Sequence, residues 1–250
     1  MHRHQHFSWI IPGTLLLLFC SGVAVLGQGP ANALEGILFS HGAGLVSPLN
    51  VVMTGTAEHE GRTEPFRLIA TREEQVRIEY GTEGKDVRVA TPKVNFRVSD
   101  GKVRQGVVSS EFSQLDVTGL FLIAQMRNRT VRIEPTEDWV GVGGVRARRI
   151  RVENERTQKH LGTLAVKDRA DLYVSEAGLL VAVTRSFYEN RPERHTLTFV
   201  FSNHQKTGDT VLPYRIEVYL QNKKQETFNI GSYAFNVPMD AESFQPRRAR

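Results

Sequence analysis

The sequence predicts a mainly β protein of the α+β kind: one antiparallel sheet with a helix set into it, in a single domain. Three observations carry this. After about residue 50, apolar and polar residues alternate at period two, the signature of strands buried on one side. Turn-forming residues separate the clearest runs every ten to twenty residues or so, which suits an antiparallel meander and not βαβ crossovers. A chain of 250 residues, 40% apolar and 24% charged, can bury a sizeable core, so disordered, collagen-like and coiled-coil classes drop out.

The N-terminal stretch stands apart. Residues 1–6 are polar and include Arg3, an apolar run extends from Trp9 to about Leu26, and Ala31-Asn32-Ala33 supplies an A-x-A pattern. Residues 1–33 are therefore expected to be a secretory signal peptide, cleaved after Ala33 or, second, after Gly27. The alternative is a membrane anchor retained over residues 9–26, since a run of about 18 residues nears bilayer-spanning length. Pro12, Gly13 and Gly22 interrupt the run and favour cleavage. Cys20 follows Phe19, where a lipobox needs a small residue. It is the one cysteine of the chain, so neither an internal disulfide nor a structural zinc framework is expected. Losing residues 1–33 lowers the formal charge from +5 to +4.

The strands follow in order. Val76-Arg77-Ile78-Glu79-Tyr80, Val87-Arg88-Val89, Val94-Asn95-Phe96-Arg97-Val98, Val131-Arg132-Ile133 and Tyr214-Arg215-Ile216-Glu217-Val218 each alternate strictly. Gly81 and Gly84, Asp100-Gly101, Gly141 to Gly144, Glu176-Ala177-Gly178 and Gly208-Asp209 mark turns. The exception is Ser109 to Arg127: a serine cap precedes Phe112, Leu115, Gly119, Leu122 and Met126 at helical spacing. Val117, Leu120, Phe121 and Ile123 widen its apolar surface, so this helix must be buried on several sides. A shorter helix is expected near Leu34 to His41. One domain over 34–245 and a solvated basic tail at 246–250 complete the reading.

Catalytic and cofactor motifs are scarce. The sequence has no G-x-S-x-G, H-E-x-x-H or P-loop pattern, and Gly141-Val142-Gly143-Gly144 reads as a tight turn between strands. His41, His59, His160, His195 and His204 lack metal-ligand spacing, so no metal and no cofactor is expected. Arg77, Arg88, Arg97, Arg132 and Arg215 occupy the polar phase of their strands and are expected on a solvated outer face. Aromatic residues lie on the opposite phase, which argues against nucleic acid. Arg146 and Arg148 differ, because they share the phase of Ile150 and Val152. Either a bulge re-aims them, or a guanidinium reaches the rim of an internal cavity and meets an acidic or carbonyl group.

The order of features resembles a known family. Thr54-Gly55 comes first, then Phe66-Arg67-Leu68-Ile69-Ala70-Thr71-Arg72, Gln75-Val76-Arg77-Ile78-Glu79 and Val98-Ser99-Asp100-Gly101-Lys102. After the helical segment come Val142-Gly143-Gly144-Val145, Arg149-Ile150-Arg151-Val152, Ala170-Asp171-Leu172-Tyr173-Val174 and Gly178-Leu179-Leu180. Phe201-Ser202-Asn203, Val211-Leu212-Pro213-Tyr214-Arg215-Ile216 and Phe235-Asn236-Val237-Pro238 close the series. Over roughly residues 45–245 this resembles the periplasmic lipoprotein-carrier superfamily, the LolA-like outer-membrane lipoprotein-sorting proteins and their LppX-like relatives.

The resemblance implies a strongly curved antiparallel sheet, an incomplete β-barrel, with helices covering a concave apolar face that holds acyl chains. Arg72 stands where the family has an arginine closing the cavity, although Glu73 follows it where proline is typical. Val103-Arg104-Gln105 replace the aromatic residues usual after the D-G-K turn. The expectation is an exported, periplasmic, non-enzymatic carrier of a lipid or acylated lipoprotein, meeting envelope membrane proteins. Phe66, Leu68, Arg72, Ile78, Phe96, Leu122, Ile123, Arg148, Ile150, Phe199, Phe201 and Ile216 are its candidate ligand-binding residues. An envelope structural or protein-interaction module without ligand is the alternative, and a hydrolase on this scaffold ranks third.

Overall fold

The computed structural model describes residues 30–42, 48–73, 75–82, 86–91, 95–105, 131–161, 164–188 and 194–245. A helix α1 (Pro30–Ser40) precedes thirteen strands: β1 (Asn50–His59), β2 (Arg62–Thr71), β3 (Val76–Tyr80), β4 (Asp86–Ala90), β5 (Asn95–Ser99), β6 (Lys102–Gln105), β7 (Val131–Val142), β8 (Val145–Leu161), β9 (Leu164–Ser175), β10 (Leu180–Tyr188), β11 (Arg194–Thr207), β12 (Thr210–Leu220) and β13 (Lys223–Phe235). A 3-10 turn, Ala241–Phe244, ends the described chain. The long helix expected over Ser109–Arg127, residues 1–29 of the targeting segment expected over 1–33, and the basic tail lie outside the described residues.

All thirteen strands belong to one antiparallel sheet in the order β6-β5-β4-β3-β2-β1-β13-β12-β11-β10-β9-β8-β7. The chain is thus two meanders, joined in the middle where β1 pairs with β13. The sheet stays open, and β6 and β7 are its two edges. Gly143 and Gly144 form the turn between β7 and β8, as their spacing predicts.

Curvature has identifiable causes. Register shifts interrupt β1–β13 at Thr54/Gly55, β12–β13 at Val218/Tyr219, β9–β10 at Leu180/Ala182, β8–β9 at Asn154/Gln158 and β7–β8 at Pro135/Trp139. Each extra residue bends its strand and increases the local twist. At Gly55 a Cβ would sit 2.1 Å from the Asn229 carbonyl oxygen, so only glycine lets β1 and β13 approach here.

One face carries the main core. Val51 and Met53 of β1, Leu68 of β2, Ile78 of β3, Ile150 of β8, Leu172 of β9, Phe199 and Phe201 of β11, Ile216 of β12 and Phe228 of β13 form one buried cluster. Helix α1, where a short helix is expected near Leu34 to His41, lies on it through Leu34, Ile37 and Leu38, while Phe39 faces outward. Burying these three side chains contributes about 5–8 kcal/mol at ordinary transfer values. The helix packs on β7, while His41 just beyond it bonds the starts of β10 and β12. Strands β7 and β12 are five steps apart, about 24 Å in a flat sheet, against about 16 Å for the 11-residue helix. A curved sheet brings both within its reach. Because α1 begins at Pro30, a cut after Ala33 would fall inside its first turn, whereas a cut after Gly27 would leave it whole.

A smaller core lies on the opposite face. Val87, Val89 and Phe96 pack there with Val98 and Phe244. The terminal turn is held in place by Arg77 Nη1, which donates to the Ser243 carbonyl at 2.8 Å.

Candidate functional site

The strand register makes the concave face legible row by row. Ile78 pairs with Leu68, Leu68 with Met53, Phe201 with Ile216, Phe199 with Val183, Val183 with Leu172 and Leu172 with Ile150. Paired residues point to the same side, so an apolar surface runs from β3 across the middle of the sheet to β8. Leu68, Leu172 and Ile216 have no exposed surface. Its two ends differ chemically.

At one end His41 fixes the helix. The Leu180 backbone N–H donates to His41 Nε2 at 2.9 Å, so Nδ1 carries the ring proton and donates to the Val211 carbonyl at 2.7 Å. Val211 N–H in turn donates to the His41 carbonyl at 2.8 Å. His204 stands 5.8 Å away, ring to ring, and bonds the Leu180 carbonyl at 3.1 Å. Burial pushes the His41 imidazole down from 6.5 to about 4, with the bond to Val211 opposing and His204 adding to the fall. His204 is lowered too, chiefly by burial. Gly42 adopts φ +103°, and a Cβ there would lie 2.0 Å from the Asp209 carbonyl oxygen. The helix end is thus seated against two hairpins with no room for a side chain.

At the other end the face turns polar. Tyr80 Oη donates to Glu226 Oε1, joining β3 to β13 inside the core. Burial holds the Glu226 carboxyl above its ordinary value, against the pull of Arg88 and of the Tyr80 bond. His59 lies tilted against Tyr80 with ring centres 4.1 Å apart and donates from Nε2 to Glu64 Oε1 at 2.6 Å. Its Nδ1 lone pair then faces Arg88 Nη2 at 3.5 Å. The Arg88 guanidinium lies 4.8 Å over the Tyr80 ring. Arg97 grips Asp86 with two bonds of 2.9 and 2.5 Å, which raises the already high arginine value further.

Arg88 and Arg97 correct an expectation. Both were placed on a solvated outer face with Arg77, Arg132 and Arg215, yet Arg88 pairs with Ile78 and with Arg97 on the concave side. The apolar phase flips between β3 and β4, because Tyr80 pairs with Asp86 and so sets Val87 and Val89 on the other face. Arg215 lies on the outer phase, part-exposed beside Glu217 at 3.0 Å, whereas Arg77 shares that phase but is covered by the terminal turn, 13% exposed and paired with Glu79 at 2.6 Å. Arg132 is exposed beside Glu134 at 2.9 Å.

Of the sequence-predicted residues, Phe66, Leu68, Ile78, Ile150, Phe199, Phe201 and Ile216 are brought together in the main cluster. Phe96 is not: it lies in the second core on the opposite face, carried there by the same phase flip. The β7–β8 shift at Pro135/Trp139 lies opposite Ile150 and Arg148, with the extra residues on β7. Toward β9 the register is unbroken from Ala147 to Val152, so Arg148 keeps the phase of Ile150, half-buried, and donates Nε to the Thr136 carbonyl at 3.0 Å. Arg146 instead stacks 4.8 Å over Trp139 and pairs with Glu176 at 3.3 Å. Arg72 is exposed in the turn after β2, its backbone N–H donating to the Leu49 carbonyl at 2.9 Å. Leu122 and Ile123 lie outside the described residues. Sequence reasoning missed His41, Tyr80 and Glu226 as a set. Glu226 held a signal, since it shares the phase of Phe228 and Ile230.

Among the described residues no group of His, Cys, Asp and Glu could hold a metal ion, and no helix is long and apolar enough to cross a membrane. No protein-family model and no curated protein matches the sequence. Solved structures do match. An outer membrane lipoprotein-sorting protein domain from Vibrio parahaemolyticus superposes with TM-score 0.53 at 10% identity, covering 87% of this chain and 97% of the other. A LolA superfamily protein from Nitrosomonas europaea gives 0.49 at 9% identity over 87% and 97%. A DUF1329 family protein from Desulfovibrio piger gives 0.46 at 11% identity over 88% and 98%. The chain has the curved, open-sheet fold of the lipoprotein-sorting domain.

Proposed function

We propose that this protein is an exported, non-enzymatic binding protein that holds a lipid, or an acyl chain of a lipoprotein, against the concave face of its sheet. The observation that carries this is the continuous apolar surface from Ile78 through Leu68 and Ile216 to Leu172 and Ile150, on a sheet that curves around it and does not close. Each buried CH₂ contributes about 0.8 kcal/mol, so one long acyl chain gains on the order of 10 kcal/mol before ordering costs. Such a site needs shape and apolar lining, not a catalytic group. The fold shared with a lipoprotein-sorting domain supports the same reading. The charged start, apolar run and small residues of 1–33 support export to the periplasm, and the whole of α1 favours cleavage after Gly27. Lipids or acylated lipoproteins, delivered or received at envelope membrane proteins, are the partners this implies.

A second reading rests on the completeness of burial: a face with Leu68, Leu172 and Ile216 wholly covered also suits an envelope interaction module with a filled interior. Native mass spectrometry of the full protein purified from its own host separates the two. Co-purified acyl species support the carrier. Their repeated absence, together with no gain in thermal stability from added lipid, favours the module.

A further inference from the structure

Arg88 is more poorly bonded than Arg97 and Arg148, which share the concave face. Arg97 has partners at 2.5 and 2.9 Å, and Arg148 has one at 3.0 Å. The nearest acceptors of Arg88 among the described residues are His59 Nδ1 at 3.5 Å, Glu60 Oε1 at 3.7 Å and Asp86 Oδ2 at 3.9 Å. Its Nε is buried with no acceptor, although the side chain is only 14% exposed. Asp86 is held instead by Arg97, which bonds one N–H to each of its oxygens. A guanidinium removed from water yet left with long contacts is costly, and a buried donor of this kind calls for an acceptor. Its place in the register, opposite Ile78 and at the end of the row that runs through Leu68 and Met53, puts that need where the apolar face ends.

The local charge decides which acceptor. Two guanidiniums, Arg88 and Arg97, face two carboxylates, Asp86 and Glu60. Burial keeps Glu226 toward its neutral form. The facing charges already balance, so no net positive field draws a further anion, whereas a neutral oxygen would satisfy Arg88 and leave that balance intact. Resting on the carrier reading above, we infer that Arg88 is a head-group anchor: it binds an uncharged carbonyl, the ester or amide oxygen at the polar end of an acyl chain lying along Ile78 and Leu68.

The test compares three ligands with one chain length on the full protein, by displacement of a fluorescent acyl probe. They are 1-monopalmitoylglycerol, its ether analogue 1-O-hexadecylglycerol, which lacks only the carbonyl, and palmitate. Wild-type protein should prefer ester over ether by about tenfold, as a hydrogen bond to a charged group gives. In Arg88→Met the preference should fall below about twofold, with ether affinity kept. The wild-type ratio alone decides if the variant does not fold. Equal binding of ester and ether overturns the anchor while leaving the carrier intact, and so does palmitate binding tighter than the ester. Binding of none of the three removes the carrier reading and the anchor with it.

Discussion

Acid should release the single described helix of the sheet through His41. The imidazole is 1% exposed, its Nε2 accepts from Leu180 N–H and its Nδ1 donates to Val211. Protonation would set a second N–H against the Leu180 donor. The folded value, about 4, lies below the unfolded 6.5, so the neutral ring is the form the fold favours. Its contribution is therefore complete above pH 6.5 and is lost as pH falls toward 4. At about 1.4 kcal/mol per unit, the loss reaches about 3 kcal/mol. The measurement is urea unfolding from pH 7.5 to 3.5, on wild type and on His41→Gln, which cannot titrate. His204 shifts in the same direction and Glu226 in the opposite one, so only the difference between the two proteins isolates His41. Wild type should lose about 3 kcal/mol more than the variant across this window. Parallel pH profiles would refute the claim that this ring is held neutral by its two backbone partners.

Other outcomes follow from the same geometry. Gly42→Ala combines φ +103° with a Cβ 2.0 Å from the Asp209 carbonyl, and should lower stability by about 1–3 kcal/mol in chemical denaturation. Glu226→Gln keeps an acceptor for Tyr80 and removes the ionisable group. Because the Glu226 value is raised on folding, wild type loses stability as pH rises above the ordinary 4.5, and the variant should show a flatter melting temperature over that rise. Leu172→Ala should cost about 2–5 kcal/mol, being wholly buried in the main core. Phe96→Leu should destabilise modestly yet leave acyl-probe affinity unchanged, since Phe96 lies on the opposite face, whereas Phe199→Trp should alter that affinity. An equal effect on probe binding from both changes would place the ligand elsewhere.

The sequence by itself determined the strands, because alternation is a local property of an extended backbone. Val76–Tyr80 and Asn95–Ser99 are strands where the pattern puts them, and Leu34, Ile37 and Leu38 form a helical stripe. The glycine pair at 143–144 turns the chain as its spacing predicts. Alternation fixes which side chains of one strand share a side, but it says nothing about which side the next strand presents. That depends on register across each hairpin, and a one-residue change reverses every side chain. Hence Phe66 and Ile150 were legible as members of one apolar face, while Phe96 and Arg88 exchanged faces when Tyr80 paired with Asp86. His41 with Leu180, and Tyr80 with Glu226, were beyond reach for a related reason. They are 139 and 146 residues apart, and only the closing of β1 onto β13 and of the helix onto the sheet brings such groups into contact. The strands belong to the sequence, and the inside of the sheet, with its polar end at Arg88, belongs to the register.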